Sequence, residues 1–429
     1  MSTVQTRRLS VSSKLRQAIL ENRPFILLLG LITYFEAVIW AIYAWLPSVR
    51  LYFNTASQID FWWYNVAPIW KEKGFFHTVT GYAPAESLLM LAIVSFSNGD
   101  FGLYIILYYV AMISFWVGRA VLVYATLKRL TKHYLIITLA YCIIFDFYSW
   151  GWLHHIFATF FASLSVYLIV KKRLLSASFA GAIGTMSTFM DVPLIFTILK
   201  AQPLRKGWKP ISMFLIVAFS FNFPFLVVDA PALLTNYIWQ FTRRPVMSIW
   251  GQLTGTDVFS EIINPQMTSM SVETIFNSSH NWLFPLSLLI LVASLIFIKI
   301  ENVKDLMLYN GFVWSVYIFF VKIGYLARYY ILQLPYVFPT LEGTFFIALA
   351  GGLSDIVYRI YYCPTTVYLS GITNFAVIIF LTWRFRKNIY FQPKFWRNRN
   401  CARVKGHLGQ IRRCLESVKQ DPSEFATRD

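Results

Sequence analysis

The feature that most constrains this chain is a series of long apolar runs, separated by short segments that carry most of the charges. The first run extends from about Phe25 to Leu46, close to the ~20 residues that a helix needs to cross a bilayer. Charged residues make up 14% of the chain, whereas a soluble domain carries about a quarter. Because the runs are apolar throughout and lack amphipathic periodicity, they predict an all-α polytopic membrane protein.

The distribution of positive charge predicts how the chain lies in the membrane. The formal net charge is +18, and the basic residues concentrate in both tails and in short loops. This pattern fits the positive-inside rule and argues against a nucleic-acid partner. We therefore predict cytosolic basic tails at residues 1–24 and 384–429, flanking a transmembrane domain at 25–383. The four cysteines have no spacing typical of a metal site or a disulfide framework.

Taken in order, the apolar runs predict about 11–12 transmembrane helices and two long outer loops, near residues 47–102 and 229–282. In the first loop, the apolar segment 84–97 is too short to cross a layer of ~30 Å, so we expect an interfacial helix there. The expected crossings are 25–46, 103–126, 134–147, 156–170, 208–228, 283–300, 306–321, 331–338, 343–357 and 367–383, with a hairpin of two short helices over 174–199.

Two of the acids inside predicted membrane segments are singled out as buried. Glu36 lies in the middle of the first span, and Asp191 lies near the middle of the predicted hairpin, beside Pro193. Charge within the bilayer is costly and points to function by default. Glu36 therefore suggests a proton path, as in a transporter, whereas we expect Asp191 to cap the broken hairpin.

The stretch "QIDFWWY" places one acid, Asp60, beside large aromatic side chains in the first outer loop. A partly desolvated carboxylate becomes more basic, which suits a general base that takes a proton from a hydroxyl. Aromatic faces such as those of Trp63 and Tyr64 can stack on sugar rings. The alternative is that Asp60 caps a short helix at the membrane interface while the tryptophans lie in the lipid belt.

Further candidates lie in the outer loops and at the outer ends of spans. The segment "FTRRPVMSIW" places Arg243 and Arg244 on the outer side, where guanidinium groups can bind phosphate oxygens. Lys322 and Arg328 either complete that phosphate site or act as snorkelling anchors. In "GYAPAES", Pro84 opens the interfacial helix and Glu86 lies in its first turn. The remaining candidates for substrate binding are Tyr82, His77, and His154 and His155 in a short turn between two spans.

The order of these motifs resembles the GT-C class of membrane glycosyltransferases, which use polyprenyl-phosphate sugars. It is most similar to the branch that contains bacterial phosphatidylinositol-mannoside mannosyltransferases and the catalytic subunit of GPI mannosyltransferase I. The resemblance rests on "QIDFWWY", "GYAPAES", "FTRRPVMSIW" and "VKIGYLARYYILQLP", and covers residues 25–383. Two departures are Ala83 in place of a second proline and Ala327-Arg328 before the tyrosine. The "WWDYG" signature of oligosaccharyltransferases does not occur.

The resemblance implies a GT-C-like bundle and an inverting transfer of a hexose, with mannose favoured, from a polyprenyl-phosphate (dolichyl-phosphate) donor to a lipid or glycan acceptor. It makes Asp60 the catalytic base, and Arg243, Arg244 and Lys322 the groups that neutralise the leaving phosphate. The expected setting is the extracytosolic face of a cell membrane, or of the endoplasmic reticulum in a eukaryote. We expect a monomer in contact with membrane lipids, with no cofactor and no metal. A proton-coupled transporter or lipid-linked-sugar flippase using Glu36 and Asp191 is the main alternative, and an inactive scaffold is another.

Overall fold

Helices form nearly all of the part of the chain that the computed structural model describes. No β-strand occurs in this described part, so its fold class is all-α, as predicted. The described residues are 17, 19–45, 59–77, 83–142, 153–188, 191–242, 282–320, 372, 375–376 and 379–383.

The helices are numbered here in chain order. A π-helix at Phe61–Val66 precedes α2, and 3₁₀ turns lie at Phe75–His77 and Leu204–Lys206. The α-helices are α1 Arg23–Trp45, α2 Ala67–Lys73, α3 Pro84–Phe96, α4 Phe101–Leu130, α5 Tyr134–Ala140, α6 Leu153–Val170, α7 Leu174–Thr188, α8 Leu194–Lys200, α9 Trp208–Thr242, α10 Leu283–Phe297 and α11 Val303–Phe320.

Two of the described helices are long and apolar enough to cross a membrane. They are α4, with 30 residues, and the first 28 residues of α9, up to Thr235. At 1.5 Å per residue each is longer than the ~30 Å hydrocarbon layer. These lengths and compositions support membrane association of the chain.

Large apolar side chains are exposed along α1 and α9, where a soluble protein would place polar groups. On α9 they include Ile216, Phe219 and Val227, each more than half exposed, and on α1 they include Leu27 and Leu31. Contiguous apolar surface of this kind requires a covering. Acyl chains of a bilayer would provide it.

The helices define two ends of the bundle, each named here after one residue. At the Asn22 end, Asn22 accepts hydrogen bonds from Tyr124 and Lys128, near the C-terminus of α4. At the Asp60 end, Tyr104 near the start of α4 donates to the Ile59 carbonyl oxygen, at 3.1 Å. Thus α1 and α4 run in opposite directions, as the predicted crossings require.

Small side chains let α6 and α7 pack closely in the centre of the bundle. Ala158 and Ala162 on α6 and Ala177 on α7 are fully buried, and the Ser165 hydroxyl donates to the Ala177 carbonyl oxygen. At Gly181, an added Cβ would lie 3.4 Å from the Ser165 hydroxyl oxygen. Close approach of this type is typical of helices packed within membranes.

Most predicted segments match described helices to within a few residues. The short helix at 84–97 is α3, with proline in its first turn as expected. The hairpin over 174–199 is the pair α7 and α8, broken between Thr188 and Leu194. The expected crossings at 331–338 and 343–357 and the C-terminal tail lie outside the described residues.

Two expectations about helix ends are wrong. The outer loop was expected to begin at Asp229, but α9 continues to Thr242 after a break at Asp229, whose φ and ψ are −152° and 77°. The Asp229 carboxylate accepts from the Ala232 backbone N–H at 2.9 Å, so it caps the second part of the helix. This cap restarts the helix where a loop was predicted.

Asp191 does not cap the broken hairpin. Its backbone carbonyl accepts from the Leu194 N–H at 3.0 Å, but the N-cap of α8 is Pro193, which makes no side-chain cap. The Asp191 carboxylate instead lies directly against Gly184 on α7. Glycine at position 184 leaves room for this carboxylate because it has no Cβ.

Candidate functional site

Asp60 lies at the entrance to the π-helix and is partly buried, with one carboxylate oxygen, Oδ1, inaccessible to solvent. Its side chain does not cap that helix, so the alternative explanation of Asp60 as a helix cap is wrong. Within the π-helix, Trp62 is fully buried and Tyr64 is 56% exposed. The acid therefore lies between the protein interior and an open aromatic surface.

The two aromatic residues predicted to bind substrate pack on the first turn of α4. The ring of Trp63 lies 5.5 Å from that of Phe101 and 4.8 Å from that of Tyr104, measured between centroids. Tyr64 contacts Phe101 at 5.5 Å. This stacking fixes the rings at the Asp60 end and leaves the exposed part of Tyr64 available to a ligand.

Two tyrosines of α4, Tyr104 and Tyr108, lie close enough to Asp60 and Glu86, respectively, to interact with them electrostatically. Both tyrosines are fully buried, and their ring centroids are 6.1 Å apart. The Tyr108 hydroxyl also accepts from the Leu153 N–H at the start of α6. We call Tyr104 and Tyr108 the tyrosine pair; it brings two predicted site acids to one part of the bundle.

Glu86 is buried, although the sequence placed it in the first turn of a helix lying at the membrane surface. It lies in the first turn of α3, and only 1% of the residue is exposed. Burial raises the pKa of its carboxyl group well above the ordinary value of 4.5. A protonated Glu86 can donate a hydrogen bond, which an ionised carboxylate cannot.

The two histidines expected in a turn belong to the first turn of α6, because that helix already begins at Leu153. His155 is buried, and its backbone carbonyl accepts from the Thr159 hydroxyl. The prediction of a turn at these positions is wrong. The side chain of His154 lies outside the described part of the structure.

His77 connects the first loop to the break in α9. Its Nδ1 lies 2.9 Å from Oδ2 of Asp229, and both side chains remain partly exposed. The neighbouring Phe75 and Phe76 pack against Phe225 of α9, with centroids 5.4 and 5.0 Å apart. His77 thus positions the loop against the break in α9.

Arg119 is a buried cation that the sequence interpretation missed. It is fully buried in α4, its Nη1 donates to the Thr159 hydroxyl at 2.9 Å, and its guanidinium lies 5.6 Å from the centre of the Tyr141 ring. The signal was present in "WVGRAVLVY", an arginine within a predicted crossing. The principle applied to Glu36 and Asp191 applies equally to it.

Five candidate residues lie outside the described part of the chain: Tyr82 and the phosphate-binding candidates Arg243, Arg244, Lys322 and Arg328. The helix that leads to Arg243, α9, is described up to Thr242. Within the described residues, no group of three His, Cys, Asp or Glu side chains could hold a metal ion.

The sequence matches no protein-family model, and comparisons with curated proteins and with solved structures found no match. A function is therefore inferred from the side chains at the Asp60 end. At the Asp60 end, a partly buried carboxylate, a fully buried carboxyl group and an aromatic surface lie around the tyrosine pair. Such a set can remove a proton from a hydroxyl group and hold a sugar ring.

Proposed function

We propose that the chain is an inverting membrane glycosyltransferase that moves a hexose from a polyprenyl-phosphate donor to a lipid or glycan acceptor. The observation that supports this proposal most strongly is the position of Asp60, which is half-buried and interacts electrostatically with the tyrosine pair, as Glu86 does. In this proposal the Asp60 end faces the extracytosolic side and both basic tails face the cytosol. Several helices besides α4 and α9 then cross the membrane.

In the proposed reaction, Asp60 takes the proton of the acceptor hydroxyl as its oxygen bonds to the anomeric carbon. The bond from that carbon to the phosphate oxygen breaks, and its electron pair leaves with the phosphate. Attack from the face opposite the phosphate inverts the configuration. Negative charge grows on the phosphate in the transition state, and Arg243, Arg244, Lys322 and Arg328 are proposed to stabilise it.

The aromatic residues and the buried acid have supporting roles in this proposal. Tyr64 provides an exposed ring on which a sugar can stack, while Trp63 holds the loop on α4. Glu86, kept protonated by burial, can donate a hydrogen bond toward Tyr108 or the substrate. His77 fixes the loop through Asp229.

The test uses full-length protein in nanodiscs, supplied with polyprenyl-phosphate mannose and a panel of lipid and glycan acceptors. Removal of a general base lowers the rate by about 10²–10⁴-fold, so Asp60→Asn should nearly silence transfer by a wild-type enzyme that is active. Asp100→Asn is the matched control. Asp100 is exposed at the same end and caps α4 through the Leu103 N–H, a role that Asn fulfils equally well. Equal transfer by wild type and Asp60→Asn would refute the role of Asp60.

A second candidate function, proton-coupled transport of a lipid or lipid-linked sugar, is favoured by one observation. Transporters often carry breaks in two helices, and the described part has one break between α7 and α8 and another at Asp229 in α9. Proteoliposomes would discriminate between the two functions. Proton-driven flux that disappears in Glu36→Gln, without any sugar transfer, would favour transport over transfer.

A further inference from the structure

The break between α7 and α8 contains a buried acid that the proposed transfer reaction does not use. Asp191 has no exposed surface. Within the described residues, neither of its carboxylate oxygens accepts a hydrogen bond, and no ion pair includes it. Tyr317 on α11 interacts with it electrostatically but brings no positive charge. A buried carboxylate in such a setting requires a counter-charge or a proton.

A backbone carbonyl oxygen lies beside the same position. A Cβ built on Gly184 would touch the Asp191 carboxylate and would lie 3.3 Å from the backbone carbonyl oxygen of Ala158. That carbonyl and the carboxylate therefore face the same small space between α6 and α7. The last carbonyl groups of α7 also lie near the break and carry the negative end of its helix dipole.

Two hydroxyl groups at this end of α7 are also buried. Thr185 and Ser187 have no hydrogen-bond partner within the described part of the chain. Other helical hydroxyls in this protein, for example those of Thr126 and Ser315, donate to the carbonyl four residues earlier. Ser187 lies three residues after Gly184, on the same side of the helix. The available ligands are thus carboxylate, carbonyl and hydroxyl oxygens.

We propose that Asp191, the Ala158 carbonyl and the hydroxyls at the end of α7 bind a sodium ion at the break between α7 and α8. Oxygen ligands suit a hard cation, and unwound backbone and helix C-termini bind sodium in membrane proteins. A single carboxylate neutralises a monovalent ion. A divalent ion would need further acids, and no cluster of three exists among the described residues. The site is independent of the proposed transferase activity.

The test measures thermal unfolding of the full-length protein in detergent, in sodium chloride and in choline chloride at equal ionic strength. Mass action predicts a saturable rise in Tm of about 2–4 °C with sodium. The rise should be absent in Asp191→Asn and retained in Asp100→Asn, which makes the same change at an exposed helix cap.

A second variant covers the case in which Asp191→Asn does not fold. Gly184→Ala places a methyl group where the carboxylate lies, so it should also remove the response to sodium. Gly30→Ala, where an added Cβ meets no atom within 4 Å, should keep it.

Three results would overturn the proposal. The first is a sodium response that persists in both Asp191→Asn and Gly184→Ala. The second is a wild-type Tm that does not change with sodium. The third is a Tm that depends on pH through Asp191 and not on sodium, which would identify a proton as the occupant. Because no sugar substrate is used, these outcomes do not depend on the transferase activity.

Discussion

At the scale of single residues, ionisable side chains are buried among helices that are otherwise almost entirely apolar. Arg119 is stabilised by the Thr159 hydroxyl and the Tyr141 ring, whereas burial raises the pKa of Glu86 and so favours its neutral form. Each arrangement reduces the cost of placing an ionisable group away from water. Substitution of the partner groups therefore tests these arrangements directly.

We expect Thr159→Val to lower the free energy of unfolding by about 1.5–3 kcal/mol, because a hydrogen bond to the buried Arg119 charge is lost. Valine keeps the shape of threonine but has no hydroxyl. The measurement is unfolding in mixed detergent micelles. In the control, Thr126→Val, the hydroxyl that is lost donates only within its own helix, to Leu122. If Thr159→Val costs no more than this control, Arg119 does not depend on Thr159.

Glu86 should make stability depend on pH in a defined direction. Because burial raises its pKa above 4.5, the folded protein binds a proton that the unfolded chain releases as the pH rises above that value. Stability attributable to Glu86 therefore falls with rising pH in this window. Glu86→Gln is neutral at every pH, so the Tm of this variant should rise relative to that of the wild type as the pH increases above 4.5. A constant difference in Tm across the range would contradict a protonated Glu86.

At the scale of helices, the sequence predicted most positions correctly because an apolar run of sufficient length leaves few alternatives. The described helices α1, α4, α6, α10 and α11 start and end within a few residues of the predicted crossings. The errors occur where a single side chain decides the outcome. The Asp229 carboxylate caps the second part of α9, so the helix restarts there. The Asp191 carboxylate lies against Gly184 and does not cap α8.

The candidate site was less predictable than the helices. The sequence identified Asp60, Trp63 and Glu86 as candidates, but it could not show that both acids interact with neighbouring tyrosines of α4. That arrangement depends on how the first loop packs against α4 and α6. The rule that identified Glu36, that charge inside a predicted crossing points to function, would also have identified Arg119. The burial of Glu86, in contrast, depends on tertiary contacts alone.

The break in α9 should depend on the carboxylate that caps it. Asp229 accepts from the Ala232 N–H and contacts His77, and Asp229→Ala removes both interactions. We expect Tm to fall by about 2–4 °C, and sugar transfer to fall with it, since the second part of α9 leads toward Arg243. Asp229→Asn keeps an acceptor oxygen and should resemble the wild type. Equal behaviour of the Ala and Asn variants would show that the break does not need the cap.

At the scale of the whole molecule, the proposed function requires that the Asp60 end lies outside the cytosol. The turn between α3 and α4, with exposed Asn98, belongs to that end, and the turn before α11, with exposed Asn302, belongs to the Asn22 end. The second assignment follows from Lys200, the last residue of α8, which returns beside α7 after the break. Lys200 donates to the carbonyl oxygen of Leu295, near the end of α10. In the proposed topology, the two turns therefore lie on opposite sides of the membrane.

Cysteine labelling in intact cells would test this orientation, using a background in which the four native cysteines are replaced by serine. A maleimide that does not cross membranes should label Asn98→Cys in intact cells, and Asn302→Cys only after permeabilisation. The reason is that the proposed topology keeps the basic N-terminal tail in the cytosol, and the Asn22 end with it. The reverse pattern would place Asp60 in the cytosol, away from an extracytosolic donor. Labelling of both positions in intact cells would show that an even number of crossings separates them, which contradicts the proposed topology.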